Sequence, residues 1–480
     1  MIGYMTIAGR VRAAAGLMAV ALVPLLGACS SATDTLLEAE DPDIISPENA
    51  QSAEGALAQY NGALSRLKVI TAGNSSVYGE GSTWLFGGLL ADEWSTSSTF
   101  VQNDETDQRS IQINNSTVTN MFRYLSRART SATEAIRGLR QYRETETTRI
   151  AEMYFVRAFA QMQLANDFCN GIPLSSQDEA GVITYGNPLP VADVYQAAIT
   201  DADSGLAEIK GTAAGDIAVK NALLITKARA LLGLAKFNDA ATAVAGIPTS
   251  YSYEVTYTLT TGDNVLYSQP ASSRRYTVGD SLEGRAHNLL VKNAIPFYSA
   301  KDPRVPVSYK IGTKNDTTLS QDGSIPSRTT TLWARSTSVP VVHGLDARLI
   351  EAEAKLQADQ IPAMVTILND LRNAPPKLGE VQVPATGTGS LAPLAVPATK
   401  DAAIDLFFRE KAFWEFGRGF RLGDLRRLVR QYNRPADQVF PVGEHYRGGN
   451  YGPDVNLPVP QQEQNNPELG GAPACIDRKA

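Results

Sequence analysis

Ala228-Arg229-Ala230-Leu231-Leu232 returns 124 residues later as Ala352-Glu353-Ala354-Lys355-Leu356, and the two copies then stay in step without a gap. Phe237 matches Ile361, Thr242 matches Thr366 and Val244 matches Leu368. Each copy spells a helix, a tight polar turn (Lys236 to Asp239, and Asp359 to Pro362) and a second helix. Small alanines where helices cross, with one large apolar residue after the turn, are what stacked tetratricopeptide-like hairpins need. The separation is far longer than one such hairpin, so large insertions must part the copies.

Working outward, apolar stripes at helical spacing recur along the chain. Ala56, Tyr60, Ala63, Leu64 and Leu67 form one. Ala151, Tyr154, Phe155, Ala158, Phe159, Met162 and Ala165 form a stronger one. Further helical segments are predicted at about 115–141, 190–209, 219–245, 346–373 and 401–432. The intervening stretches have other chemistry. Residues 71–114 hold Tyr78, Trp84, Phe86, Trp94 and Phe100 among Gly, Ser and Thr. Residues 249–340 alternate, as in Tyr251-Ser252-Tyr253-Glu254-Val255-Thr256-Tyr257, which predicts short strands and hairpins. Residues 375–400 are rich in Pro, Gly and Thr and read as loop. The predicted fold is mainly α: tetratricopeptide-like hairpins with an irregular subdomain rich in loops and short strands.

Composition narrows the chemistry. The chain has 480 residues, 43% of them apolar and 20% charged, which is a globular balance. With 44 basic against 50 acidic side chains, it lacks the dense positive surface that nucleic acid demands. Three histidines and three cysteines argue against zinc ribbons, iron–sulfur clusters and multi-histidine centres, so neither metal nor cofactor is expected.

The N-terminus reads as an address. Arg10 and Arg12 precede an apolar stretch from Ala13 to Leu26, which ends in Leu26-Gly27-Ala28-Cys29. A basic region, a short apolar region and small residues before a cleavage point describe a secretory signal peptide, too short to span a bilayer comfortably. The cysteine after Leu-Gly-Ala makes it look like a bacterial lipoprotein signal, with residues 1–28 removed and Cys29 acylated. Several acyl chains on one residue hold a membrane far more firmly than one. Residues 29–48, polar and carrying Pro42 and Pro47, then read as a tether. Cleavage leaves 42 basic against 50 acidic residues, a net charge of −8. It also leaves Cys169 and Cys475 in an oxidising compartment, where an even count favours a disulfide; the alternative is a buried free thiol at 169 and a frayed one at 475.

The C-terminal third carries a family resemblance. Leu406-Phe407-Phe408-Arg409-Glu410, then Phe413-Trp414, then Gly419-Phe420-Arg421-Leu422-Gly423-Asp424-Leu425-Arg426-Arg427 resembles the closing helix pair of the SusD/RagB outer-membrane lipoproteins. That pattern reads Glu-Gly-x-Arg-x-x-Asp-Leu-x-Arg, and here Arg418 stands where the glutamate is expected. Leu457-Pro458-Val459-Pro460, Glu463, Asn466-Pro467 and Leu469 resemble the family's C-terminal run. Asp302-Pro303-Arg304, the Ile350 to Ala354 helix, Arg157-Ala158 and Gly171-Ile172-Pro173-Leu174 add matches in the expected order. The resemblance implies four tetratricopeptide-like units beside an irregular subdomain, with 49–480 as one SusD-like domain. It also implies a non-catalytic role: a lipid-anchored protein, facing the cell exterior, that captures a glycan or other oligomeric nutrient for a TonB-dependent, SusC-like transporter.

Sugar rings present apolar C–H faces, so exposed aromatic rings edged by polar groups are the expected ligand platforms. Trp84 and Trp94, beside Asp92 and Glu93, and Tyr276 and Trp333 in the second insertion are the candidate ligand-binding residues. The competing reading is that these rings seal the insertions onto the helices. Trp414 lies on a helix face with Phe413 and is expected in the core. Enzyme signals are weak. Gly279-Asp280-Ser281-Leu282 resembles a serine-hydrolase nucleophile block, but none of His287, His343 or His445 follows an Asp by three residues. Gly-x-Ser-x-Gly is absent, and Gly417-Arg418-Gly419 with Gly423 has the wrong spacing for a dinucleotide loop. Two alternatives stand beside glycan capture: a helical envelope scaffold with no glycan site, and a glycosidase built on paired carboxylates.

Overall fold

The computed structural model describes residues 51–75, 82–178, 180–309, 317–386, 391–471, 475 and 477–480. The expected signal peptide (1–28), the expected acylation site Cys29, the expected tether (29–48) and Tyr78 lie outside the described residues.

Twelve helices carry the argument: α1 Ala53–Ile70, α2 Thr83–Leu90, α3 Val101–Asp107, α4 Ser116–Tyr142, α5 Thr147–Asp167, α6 Val191–Glu208, α7 Ala214–Gly233, α8 Phe237–Val244, α9 Gly344–Gln357, α10 Ile361–Asn373, α11 Lys400–Trp414 and α12 Arg421–Tyr432. Several begin on side-chain caps that occupy orphan backbone donors. Ser52 accepts from Gly55 N, Asn115 from Thr117 N and Val118 N, and Thr399 from Ala402 N. Pro362 opens α10, where its missing N–H costs nothing.

The repeat seen in the sequence is a repeat of backbone geometry. After α7, Ala235 takes φ 58°, and after α9 the aligned Asp359 takes φ 59°. Lys236 N donates to Leu231 O and Ala235 N to Leu232 O; Gln360 N donates to Lys355 O and Asp359 N to Leu356 O. Both turns therefore close with the same paired bonds around a left-handed residue, the Schellman arrangement. Consecutive helices pack on one another from α4 through α8, and α1 packs on α4. The stack passes from α8 to α9 and then to α10 and α11.

The two repeat copies can stack because the insertion between them is closed at its base. Ser252–Val255 pairs antiparallel with Val339–His343, so the chain leaves the stack and returns to it at one place. Apolar side chains on that second strand are buried, which fixes the register against the helices.

Residues 71–114 differ from the loop excursion read in the sequence. They contain α2, buried along its whole length, and α3. An apolar run such as Trp84-Leu85-Phe86 with Leu89-Leu90 is stable as a helix when protein surrounds it on all sides. Trp94–Thr96 then pairs antiparallel with Tyr276–Val278, joining the first insertion to the second. Within 375–400 a two-stranded turn, Lys377–Leu378 with Val381–Gln382, interrupts the loop. Cys169, buried just after α5, is bonded to Cys475, 306 residues later. Among the described residues no helix is long and apolar enough to cross a membrane.

Candidate ligand-binding site

The turn between α11 and α12 organises the aromatic candidates. Gly417 and Gly419 hold φ of 71° and 73°, a region that favours glycine. A Cβ on Gly417 would sit 3.5 Å from the Trp94 ring and 3.6 Å from the Trp333 nitrogen. On Gly419 it would fall 1.9 Å from Cδ1 of Trp84. Three indoles therefore clasp one turn, and Phe416 and Phe420 lie 5.0 Å and 6.0 Å from Trp94 and Trp84.

The exposed arc expected from the sequence is corrected here. Relative exposure is 0% for Trp84, 1% for Trp94, 0% for Tyr276 and 5% for Trp333. The strand pairing of 94–96 with 276–278 carries Trp94 and Tyr276 into the core, where their large apolar area is buried. Trp414 is core as expected, at 1%. Half-exposed rings lie elsewhere, among them Phe100 beside Arg275, and Tyr298 against Tyr309 at 5.0 Å.

Asp92 and Glu93, the acids beside the two tryptophan candidates, tie the first insertion to the same turn. Asp92 receives Nε and Nη2 of Arg421 at 2.8 and 2.9 Å, a paired geometry that suits guanidinium and carboxylate. Glu93 Oε1 accepts from Gly417 N at 2.8 Å, and burial pushes its carboxyl up to about 8. Arg418, standing where the resembled sequence pattern has a glutamate, sends its guanidinium to Asp346 at 2.7 and 2.9 Å. Burial alone would raise Asp346, but Arg418 and Arg229 hold it well below the usual carboxylate range. The whole arrangement is a rigid, buried charge network under the loops.

On one side of this network the surface opens into a cleft of about 750 Å³. Hydroxyls from Thr249, Ser250, Ser252, Ser336, Thr337 and Ser338 line it, with Glu254, Lys377 and Glu380 adding charge. His343 also lines it: its Nδ1 accepts from Leu345 N at 2.9 Å, which leaves the ring proton on Nε2. Burial, with Arg418 nearby, pushes His343 down to about 4, so the ring is neutral at pH 7. The cleft shares Pro340, His343, Lys377 and Gly379 with a narrow slot that Trp333 lines. Gly379 lies over that indole, since a Cβ there would be 2.9 Å from Trp333 Cζ3 and 2.1 Å from Leu332 O. Of the four aromatic candidates, Trp333 alone lines the slot that adjoins this cleft. The sequence did not single out its walls, which come from three hydroxyl- or proline-rich segments distant in the chain; two of them carry Ser/Thr runs flanking the paired strands, and the third is the Pro375-Pro376 segment.

Other chemistry can be placed as well. Asp280 accepts from Ser299 Oγ and meets Nε2 of His287 at 2.7 Å, so this histidine faces a carboxylate and not Ser281. Among the described residues no group of three or more His, Cys, Asp or Glu side chains is placed to hold a metal ion.

No family model matches the chain, and no curated protein matches it in sequence. Solved structures do match. A SusD-like carbohydrate-binding protein from Bacteroides fragilis superposes with a TM-score of 0.59 at 15% identity, over 86% of this chain and 99% of its own. A SusD homolog from Bacteroides thetaiotaomicron gives 0.59 at 14% identity, over 86% and 95%. A SusD/RagB family protein from the same organism gives 0.58 at 13%, over 87% and 95%. At such identities the likeness is one of architecture, and the fold of this chain is the SusD-like fold.

Proposed function

We propose that this protein is a non-catalytic, outer-membrane lipoprotein, held by acyl chains on Cys29, which binds a glycan or similar polyhydroxylated oligomer and passes it to a TonB-dependent, SusC-like transporter. The observation that carries the reading is the hydroxyl-lined cleft beside Trp333 on a SusD-like fold. Its volume lies within the ~300–1,000 Å³ range of small-ligand sites. Hydroxyls, the carboxylates of Glu254 and Glu380 and a neutral imidazole N–H can exchange hydrogen bonds with sugar hydroxyls in both senses. The carbohydrate-binding neighbours and the lipoprotein-like N-terminus support the same reading.

Ser336 is exposed and lines the cleft, so Ser336→Trp should fill it without touching the core. Titration against a polysaccharide panel should show binding by the unmodified protein and at least a tenfold loss in this variant, with unchanged unfolding. Equal affinity in both would remove the ligand from the cleft. Release of reducing ends from any bound polymer would replace capture with hydrolysis, with Glu254 and Glu380 as first suspects. A β-barrel transporter should co-purify from detergent-solubilised envelopes; its absence would leave binding without delivery.

A further inference from the structure

Helix α12 carries a second cluster of charge that the network around the α11–α12 turn does not use. Arg426 is wholly buried, at 0% exposure, and Arg430 follows one turn later on the same helix face. Four residues of helix span about 6 Å, so their guanidinium groups can approach one object from two directions. Nη1 of Arg426 is committed to the carbonyls of Ala165 and Asn166 at the end of α5. Its Nε and Nη2 are buried without partners, and so are Nε and Nη2 of Arg430. Among the described residues neither guanidinium has a carboxylate within ion-pair distance, although buried cations are ordinarily paired.

The nearby acids form no hydrogen bond to either guanidinium. Asp477 gives Oδ1 to Asn170 and to the Lys479 backbone, and Asp167 gives Oδ2 to Gln163 while its Oδ1 is buried without a partner. The hydroxyl of Tyr195 donates to Asn166. Elsewhere on α12 the rule is opposite: Arg421 and Arg427 each meet a carboxylate with both arms. Buried donors left open cost free energy, and more when charged.

We propose that Arg426 and Arg430 together form a site for one small oxyanion, such as sulfate, phosphate or a simple carboxylate, taken from solution. Two guanidinium forks match the tetrahedral or planar oxygens of such an ion, and each N–H gains a charge-assisted bond. Arg430 is only half-buried, so the ion can reach the site along its side chain. Burial first, and then the Arg430 charge, push the Arg426 guanidinium down to about 9, as crowding of like charges demands. An anion between them would remove that repulsion and cross-link α12 to α5.

The test measures the unfolding midpoint of the full folded chain while chloride is replaced by sulfate, phosphate or acetate at millimolar levels and constant ionic strength. A saturable rise is expected for at least one oxyanion over chloride. Arg430→Gln should abolish the saturable part and leave only the gradual rise that sulfate and phosphate give through exclusion from protein surfaces. Arg430→Lys, which keeps the charge but loses the fork, should bind at least several-fold more weakly and serves if the glutamine variant folds poorly. No oxyanion-specific rise in the unmodified chain, or an equal saturable rise in Arg430→Gln, would overturn the site. Glycan binding does not enter the readout, so this outcome is separate from that of the proposed function.

Discussion

Gly419→Ala tests the clasped turn most directly. The added methyl would lie 1.9 Å from Trp84 Cδ1, and the indole is wholly buried, so it has nowhere to retreat. Gly417 supplies the control: its φ of 71° is nearly the same, but its Cβ would sit at ordinary contact distances of 3.5 and 3.6 Å. Gly417→Ala should therefore cost only the left-handed backbone term, about 1–2 kcal/mol. Gly419→Ala should cost that plus an overpacking term of about 1–3 kcal/mol, so about 2–5 kcal/mol in all. Removing the ring isolates the clash. Trp84→Ala alone should cost about 3–5 kcal/mol, and adding Gly419→Ala to it should cost only the backbone term. Equilibrium unfolding in urea, with the disulfide intact, reads all four values. The reasoning fails if the two glycine variants lose the same stability, or if the penalty at Gly419 is unchanged once Trp84 is gone.

Three further outcomes follow from the same structure. Replacing Cys169 and Cys475 by Ser opens a loop of 306 residues, for which the chain-entropy model gives an upper value of about 5–6 kcal/mol; unchanged denaturant resistance would deny the bond a stabilising role. Glu93 has its folded pKa raised from the ordinary range to about 8, so the folded state holds a proton the unfolded chain has released, and this group's contribution to stability declines as pH rises from about 4.5 to 8. Glu93→Gln should flatten that decline, by up to roughly 4–5 kcal/mol, and a variant that keeps the same pH slope would assign it to other groups. Cys29→Ser should move the protein from the membrane pellet to the soluble fraction with loss of palmitate label, and unchanged fractionation would sink the lipid anchor.

Helices were legible where one face had to be apolar and local. The Ala228 and Ala352 copies even revealed matching turns, because Ala235 and Asp359 sit at equivalent positions after equal helices. The aromatic insertions were not legible for the opposite reason. Trp94 is followed by Ser95 and Thr96, a run too short to announce a strand, and its partner strand lies some 180 residues away. Nothing near Asp92 in the chain shows that Arg421 will neutralise it, so a buried structural carboxylate reads like an exposed polar edge. The cleft suffers similarly. Its hydroxyls come from a strand-like run and from segments distant in the chain, which share one wall only once Ser252–Val255 meets Val339–His343. Arg418 shows the reverse case: it departs from the resembled pattern's glutamate, and it makes a complete ion pair with Asp346.

That paired base at residues 252–255 and 339–343 makes the long insertion behave as a cassette. The helical stack meets the insertion at these two adjacent strands and at a few fixed points inside it, where Arg304 pairs with Glu410 and Phe297 packs on Phe413, so the surface loops between those points hang free of it. Once such ends are clamped, doubling the length of a flexible excursion adds only about 0.6 kcal/mol of closure entropy. Surface loops between residues 256 and 338 can therefore lengthen, shorten or change chemistry while the hairpins on either side keep their register. A lineage carrying this scaffold would be free to re-specify what the outer subdomain touches without redesigning what holds it up.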